Sequence, residues 1–360
     1  MKNTVALLVL SLTLFSTSCK KSSQSSSLVA KPHATGEIGK VVMLVNDETY
    51  VGCKDAIKEV YKKPIEGMAS YEPYFRINHC NEGGFTNYFK HNYNLAIIYY
   101  QEKKSKLTAL VGSKLTDLLD EKLAKGQSFF VVKDLFATPQ EVAFVMGQNK
   151  DSVAANMIKQ KDKILDLALK TERKTTVELV LRDDVEDDVF YNEMLRNYGY
   201  AFRTPGNFRR SVKSDEFNGV NRIIGEKRSG LYLYDEPYTG EEQFTKDYII
   251  AKRNSILRRH LHGPDRKDSI PTYVTTDTVN VDIHTKEITL NGFRAIETRG
   301  WWEMANEFFA GPFVSYTIHC PSINKVVTIE GNVFAPSKKK QDLVRTLELA
   351  ATSFTVKDKK

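Results

Sequence analysis

Apolar and polar positions along this chain repeat with two periods, and the change from one to the other marks its elements. Residues 40–46 (KVVMLVN) form a continuous apolar run of strand length, and residues 52–63 read as a helix after it. Residues 74–79 alternate as a strand, 85–90 suit a short helix and 95–100 read as a buried strand. A helical stretch at 115–124 and a strand at 129–132 follow, so this half predicts an α/β sandwich with helices packed on one sheet. Residues 151–181 give the longest helical pattern, with Val153, Met157, Ile164 and Ala168 on one face. The acidic run 183–188 breaks it.

The second half begins near Tyr200. Residues 221–224 and 231–234 read as strands, and Thr239 with Glu242 suggests a capping box opening a helix to about Arg259, with Phe244, Tyr248 and Ile256 facing inward. Strands are expected at 272–276, 279–283, 313–318 and 326–333. A closing helix at 340–354 carries the stripe Leu343, Leu347, Ala350 and Phe354. The expectation is an α+β protein: two mixed sheet and helix layers or subdomains, 39–199 and 200–356, joined by a long helix.

A different pattern precedes these elements. Lys2 is followed by the apolar run 5–15 (VALLVLSLTLF), which has the length of a signal-peptide core and is too short to span a bilayer. Ser16-Thr17-Ser18 and then Cys19 resemble a bacterial lipobox, although Ser16 stands where leucine is usual. Residues 1–18 are thus expected to be a lipoprotein signal peptide, and Cys19 to be acylated, with palmitate among its chains, anchoring the protein to a lipid bilayer. Several acyl chains at about 0.8 kcal/mol per buried methylene would make that anchor essentially permanent. Residues 19–38, rich in serine and without an apolar cluster, read as lipidated cysteine and flexible tether. Lys20 stands where lipoproteins retained in the inner membrane commonly have aspartate, and no acidic export cluster follows. Both features favour the periplasmic face of an outer membrane.

Composition narrows the partners. Nineteen phenylalanines and 17 tyrosines argue for a substantial core, and the net charge is +7, of which Lys2 would leave with the signal peptide. A spread positive field favours anionic headgroups or glycans. Secretion and the lack of any binding fold argue against nucleic acid. Cys53, Cys80 and Cys320 leave at most one disulfide, for which Cys53–Cys80 is the shortest closure, and their spacing makes no zinc site.

Candidate chemistry is sparse. Residues 299–312 hold both tryptophans, Trp301 and Trp302, together with Arg299, Glu303 and Glu307. On a helix, Glu303 and Glu307 would lie on one face, four residues apart. These five residues are the candidate ligand contacts: carboxylates beside aromatics suit a glycan cleft, and the alternative is a core plug closed by an Arg299–glutamate pair. His260 and His262 could seat a metal, but at a helix end beside Gly263-Pro264 they more simply complement the helix dipole. The run 183–188 lacks the spaced oxygen ligands and central glycine of a calcium loop, so it reads as a solvated helix end. Nucleophile elbows, zinc-protease pairs and phosphate loops are absent, and no cofactor or metal is implied.

Several tracts resemble those of an uncharacterised lipoprotein family of Bacteroidetes. They are 299–303 (RGWWE), 306–308 (NEF), 311–315 (GPFVS) and 330–336 (EGNVFAP), with 251–254 (AKRN) and 72–75 (EPYF) as further landmarks. Phe309-Ala310 stand where Met-Gly is expected. The resemblance would span residues 40–354 and implies a lipid-anchored envelope protein, with no catalytic residues to carry over. The expectation is therefore a non-enzymatic lipoprotein that binds an envelope protein or glycan. The alternative is an unfamiliar envelope hydrolase or glycan-processing enzyme that uses Glu303 and Glu307.

Overall fold

A computed structural model describes residues 30–181, 185–263 and 270–357. The apolar run, Cys19 and most of the expected tether lie outside the described residues, as do Asp183 and Asp184. The described residues from Pro32 onward group as one compact unit.

The first sheet contains β1 (Lys40–Leu44), β2 (Arg76–Cys80), β3 (Asn94–Tyr100), β4 (Phe129–Lys133) and β5 (Glu141–Gly147) in the order β2-β1-β3-β5-β4. All pairings are parallel except β4 with β5. Helices α1 (Asp47–Gly52), α2 (Lys54–Tyr61), α3 (Asn87–Lys90), α4 (Lys104–Val111) and α5 (Ser113–Ala124) link these strands, followed by α6 (Lys150–Lys159) and α7 (Lys161–Val180). Alternate strand residues enter two separate cores. Met43, Ala96, Ile98 and Val145 pack with α2, α6 and α7, whereas Leu44, Ile97, Phe144 and Met146 pack with α4 and α5. A central parallel sheet covered on both faces leaves no room for polar alternation, which is why 95–100 reads as unbroken apolar sequence.

The long pattern at 151–181 is two helices broken at Gln160, yet Val153, Met157, Ile164 and Ala168 do share one core. Cys53 and Cys80 are free, because they belong to cores on opposite faces of the first sheet; Cys320 is also free.

After α8 (Val185–Asn197) and the short β6 (Tyr200–Ala201) comes a predominantly antiparallel sheet. Its strands are β7 (Arg209–Lys213), β8 (Phe217–Ile224), β9 (Lys227–Pro237), β10 (Tyr273–Asp277), β11 (His284–Leu290), β12 (Phe293–Ala305), β13 (Ala310–Cys320) and β14 (Lys325–Phe334). The path runs β10-β12-β13-β14-β9-β8-β7, with β11 beside the first half of β12. Helix α9 (Lys246–His260) lies on one face and α10 (Gln341–Ala351) with α8 on the other. A short β15 (Thr355–Val356) pairs with β6. The architecture is α+β.

Three local expectations are corrected. Residues 299–305 belong to a thirteen-residue strand and not to a helix. Alternation across that strand, with Trp302 inward to α9 and Arg299 inward to α10, buries both faces and leaves no polar period to read. The strand expected at 279–283 lies instead at His284–Leu290, and Val279 is exposed. Finally, α9 is capped by Thr245, whose hydroxyl accepts the Tyr248 N–H at 3.4 Å, while Glu241–Phe244 makes a separate short 3-10 turn. Phe244 and Ile256 are buried as expected, and Tyr248 is half-buried.

Candidate functional site

The five candidate residues fall on one β-hairpin, β12–β13, and its alternation separates them. Arg299 is buried on the α10 side, where Nε donates to Glu297 at 2.8 Å and Nη1 to Glu348 of α10 at 2.6 Å. Burial alone would push the Glu297 carboxyl up, but the Arg299 guanidinium, together with Arg173 and the Tyr316 hydroxyl, holds the carboxyl below its ordinary range. Opposite Glu297, burial drives the Tyr316 hydroxyl far above its usual range. Trp302 is buried on the other face, its Nε1 donating to the Val333 carbonyl at 3.2 Å.

The remaining candidates sit toward the hairpin tip. Trp301 is half-buried, with Lys340 Nζ 6.0 Å from the ring centre. Glu303 is exposed on the strand, facing Thr275 and Ala310 across it. Glu307 lies in the turn, beyond the strand end, so the two glutamates share no helix face. Asn306 enters the turn at φ 63 and its amide donates to the Pro271 carbonyl, while Phe308 is fully exposed.

Below the hairpin lies a polar cluster that sequence reading did not assemble. Arg253 of α9 is fully buried, and its guanidinium makes two parallel bonds to Glu330 of β14, 2.9 and 2.7 Å long. It also donates to the Thr276 hydroxyl of β10 at 2.6 Å and stacks 3.8 Å from the Phe313 ring centre. His260, farther along α9, stacks on Phe217 of β8 at 4.8 Å. One helix thus touches β8, β14 and β10, so the sheet curls around α9, and Arg253 ties its middle to its edge. Burial outweighs Arg253 in raising the Glu330 carboxyl above its ordinary range. Both residues stand in tracts noted above, 251–254 and 330–336, but 77 positions separate them.

A second buried set joins the first sheet's helices to α10. Glu172 of α7 bonds Arg345 of α10 and accepts the Gly39 N–H at 2.6 Å. Glu72, in the tract 72–75, accepts the N–H groups of Lys340 and Gln341 at 2.7 and 2.6 Å. A carboxylate from a distant loop therefore caps α10, whose own first residues offer no side-chain cap. Gly67 (φ +75) packs against the Gly300 backbone, where a Cβ would lie 2.7 Å from the Gly300 nitrogen.

In open parallel sheets, ligands favour the crevice at the carboxyl ends of strands where the connections change direction. Here that point lies between β1 and β3, and it is closed from within. The Tyr100 hydroxyl accepts from Asn46 at 2.7 Å and from Thr49 at 3.0 Å, and a cavity of only ≈ 20 Å³ remains. An open depression of ≈ 510 Å³ between α2 and α7 is lined by charged side chains that pair across it, such as Lys161 with Glu59 at 3.0 Å.

No described group of three or more His, Cys, Asp or Glu residues suits a metal ion. His260 meets Glu216 at 2.9 Å, whereas His262 sits in a bridge to Tyr273. Asp188, from the acidic run, pairs with Arg203 at 2.5 Å.

Comparison with known proteins gives two family matches. Residues 34–180 match a domain of unknown function, DUF8532, and residues 187–353 match another, DUF4837. The two matches part between α7 and the body of α8. No curated protein matches. Among solved structures, a protein from Bacteroides thetaiotaomicron aligns with 6% identity and a TM-score of 0.24, over 45% of this chain and 46% of its own. LpqN of Mycobacterium tuberculosis, described as involved in cell envelope biogenesis, aligns with 14% identity and a TM-score of 0.28, over 44% of this chain and 83% of its own. The chain thus spans about half the length of the first of these. No described helix is long and apolar enough to cross a membrane, which leaves strands unaddressed.

Proposed function

We propose that this protein is a cell-envelope lipoprotein, anchored by acylated Cys19 to the periplasmic face of an outer membrane, whose folded body binds an envelope protein or glycan without transforming it. The observation that supports this reading best is the division of labour on β12–β13. Arg299 and Trp302, the groups best suited to grip a substrate, are spent on ion pairs and core packing. Glu303 and Phe308 are left to face outward near the tip, with Trp301 half-buried beside them. An exposed tip suits surface contact and encloses no reacting group, and the partner's site is left to the rest of the body.

Two measurements test the proposal. Cells fed a palmitate analogue are expected to label the protein at Cys19, and Cys19→Ser to abolish the label; an unlabelled wild type would reject the anchor. Purified protein is expected to leave peptidoglycan, glycan and ester substrates intact. Turnover that disappears in Glu303→Gln or Glu307→Gln would instead establish the hydrolase alternative.

A further inference from the structure

We infer that one end of the second sheet is a membrane-docking edge, built to rest on an anionic phospholipid surface; the inference rests on the lipid-anchored reading and supplies that reading with an orientation. Two hairpin tips lie side by side at this end. Arg228 pairs with Phe334 across β9–β14, and the Phe334 ring packs 5.1 Å from Phe309 at the start of the β12–β13 turn. Arg228 itself reaches the Phe309 ring at 6.0 Å. The tips are therefore in contact. Each presents apolar side chains to solvent: Ile223 and Ile224 on one, 58% and 56% exposed, and Phe308 on the other.

Single exposed apolar residues are ordinary, but three on touching tips form a patch, and its rim is basic. Arg222, Lys227 and Arg228 flank the first tip, and Lys338, Lys339 and Lys340 follow β14 at the same end. Against these six cations the two hairpin tips offer Glu226, Glu303 and Glu307, while Glu72 and Asp342, beside the lysines, are engaged by the α10 N–H groups and by Arg76. Projecting apolar points ringed by cations match a bilayer interface, where acyl chains receive the points and anionic headgroups receive the rim. Trp301, half-buried beneath Lys340, is the type of aromatic that suits such a boundary.

Residues 32–35 are bonded beside Thr138 and His91, and the segment then runs on to β1. Arg76 donates at 3.0 Å both to the Ile38 carbonyl and to Asp342 in the first turn of α10. The end of the expected tether thus sits beside Lys338–Lys340.

The test uses residues 20–360, which retain every described residue and lack the acylation site. Sedimentation is measured with vesicles of phosphatidylcholine alone and of phosphatidylcholine with phosphatidylglycerol. The protein is expected to pellet with the anionic vesicles only, less so as salt rises, with the Trp301 emission moving to shorter wavelength. Phe308→Ser should weaken partition roughly tenfold, and Lys227→Glu with Arg228→Glu by at least as much. Val279→Ser, exposed on a different loop, should leave binding unchanged, and all variants should keep the wild-type unfolding midpoint. Failure of the wild type to pellet, or equal binding by the tip variants, would overturn the inference. So would a soluble partner protein whose binding depends on Phe308 while vesicles are ignored. Failure here with Cys19 still labelled would leave the anchor standing; vesicle binding without label would retain the edge and reject the anchor.

Discussion

Arg253 and Glu330 lie face to face with neither side chain reaching solvent, joined by two parallel hydrogen bonds between the helix that the second sheet wraps and one of that sheet's central strands. Desolvating two charges is costly, and the geometry offsets that cost through the paired bonds, the Thr276 hydroxyl and the Phe313 ring. The pair also fixes α9 in one register along β14.

Removing one partner strands the other. Arg253→Met and Glu330→Met are each expected to destabilise by about 3–5 kcal/mol in urea unfolding, and the double variant Arg253→Met/Glu330→Met by less than their sum. Additive losses would show that the two residues act independently.

The tryptophans should separate cleanly. Trp302 is enclosed and bonded to Val333, whereas Trp301 is partly open. Trp301→Phe should leave emission that acrylamide quenches poorly, while in Trp302→Phe the remaining emission should be quenched readily. Trp302→Ala should cost about 3–5 kcal/mol in denaturant unfolding. Equal quenching in the two single variants would contradict the alternation along β12.

The three described cysteines should be inert until the chain unfolds. Burial pushes the Cys53 and Cys80 thiols up to about 11 and that of Cys320 up to about 12. Iodoacetamide at pH 8 is expected to leave all three unmodified by mass spectrometry in native protein and to modify all three in guanidinium.

Glu72 can be tested as a cap supplied from another element. Glu72→Gln should cost about 1–2 kcal/mol, since the neutral amide keeps one acceptor but loses the favourable charge at the helix end. Hydrogen exchange should rise first at Lys340 and Gln341. Unchanged exchange there would mean that α10 is held by its apolar face alone.

Asp277 gives a pH signature. Burial alone would raise its carboxyl, but the N–H groups of Asn280 and Val279, each at 2.9 Å, hold it below its ordinary range. Because the folded value is depressed, its contribution is present above the usual aspartate range near pH 4 and is lost as pH falls through the folded value. Asp277→Asn should therefore be less stable than wild type at pH 7, by about 2 kcal/mol, and the gap should close below pH 4. A gap constant from pH 7 to pH 3 would remove Asp277 from the acid response.

Local periodicity determined much of this protein. The strand at 40–46, the buried strand at 95–100, the shared face of Val153, Met157, Ile164 and Ala168, and the closing stripe through Leu347 and Ala350 were readable because each element's own burial imposes its period. So was the α+β class. The tertiary structure decided the rest, where burial has no local period. Residues 299–302 lie between α9 on one side and α10 on the other, so both faces are occupied and the strand spells no alternation. Arg253 with Glu330, Glu72 with α10 and the touching hairpin tips join positions far apart in the chain. Their partners are set by sheet register and curl, which no window along the sequence contains, because pairing free energy depends on which strands become neighbours when the chain closes.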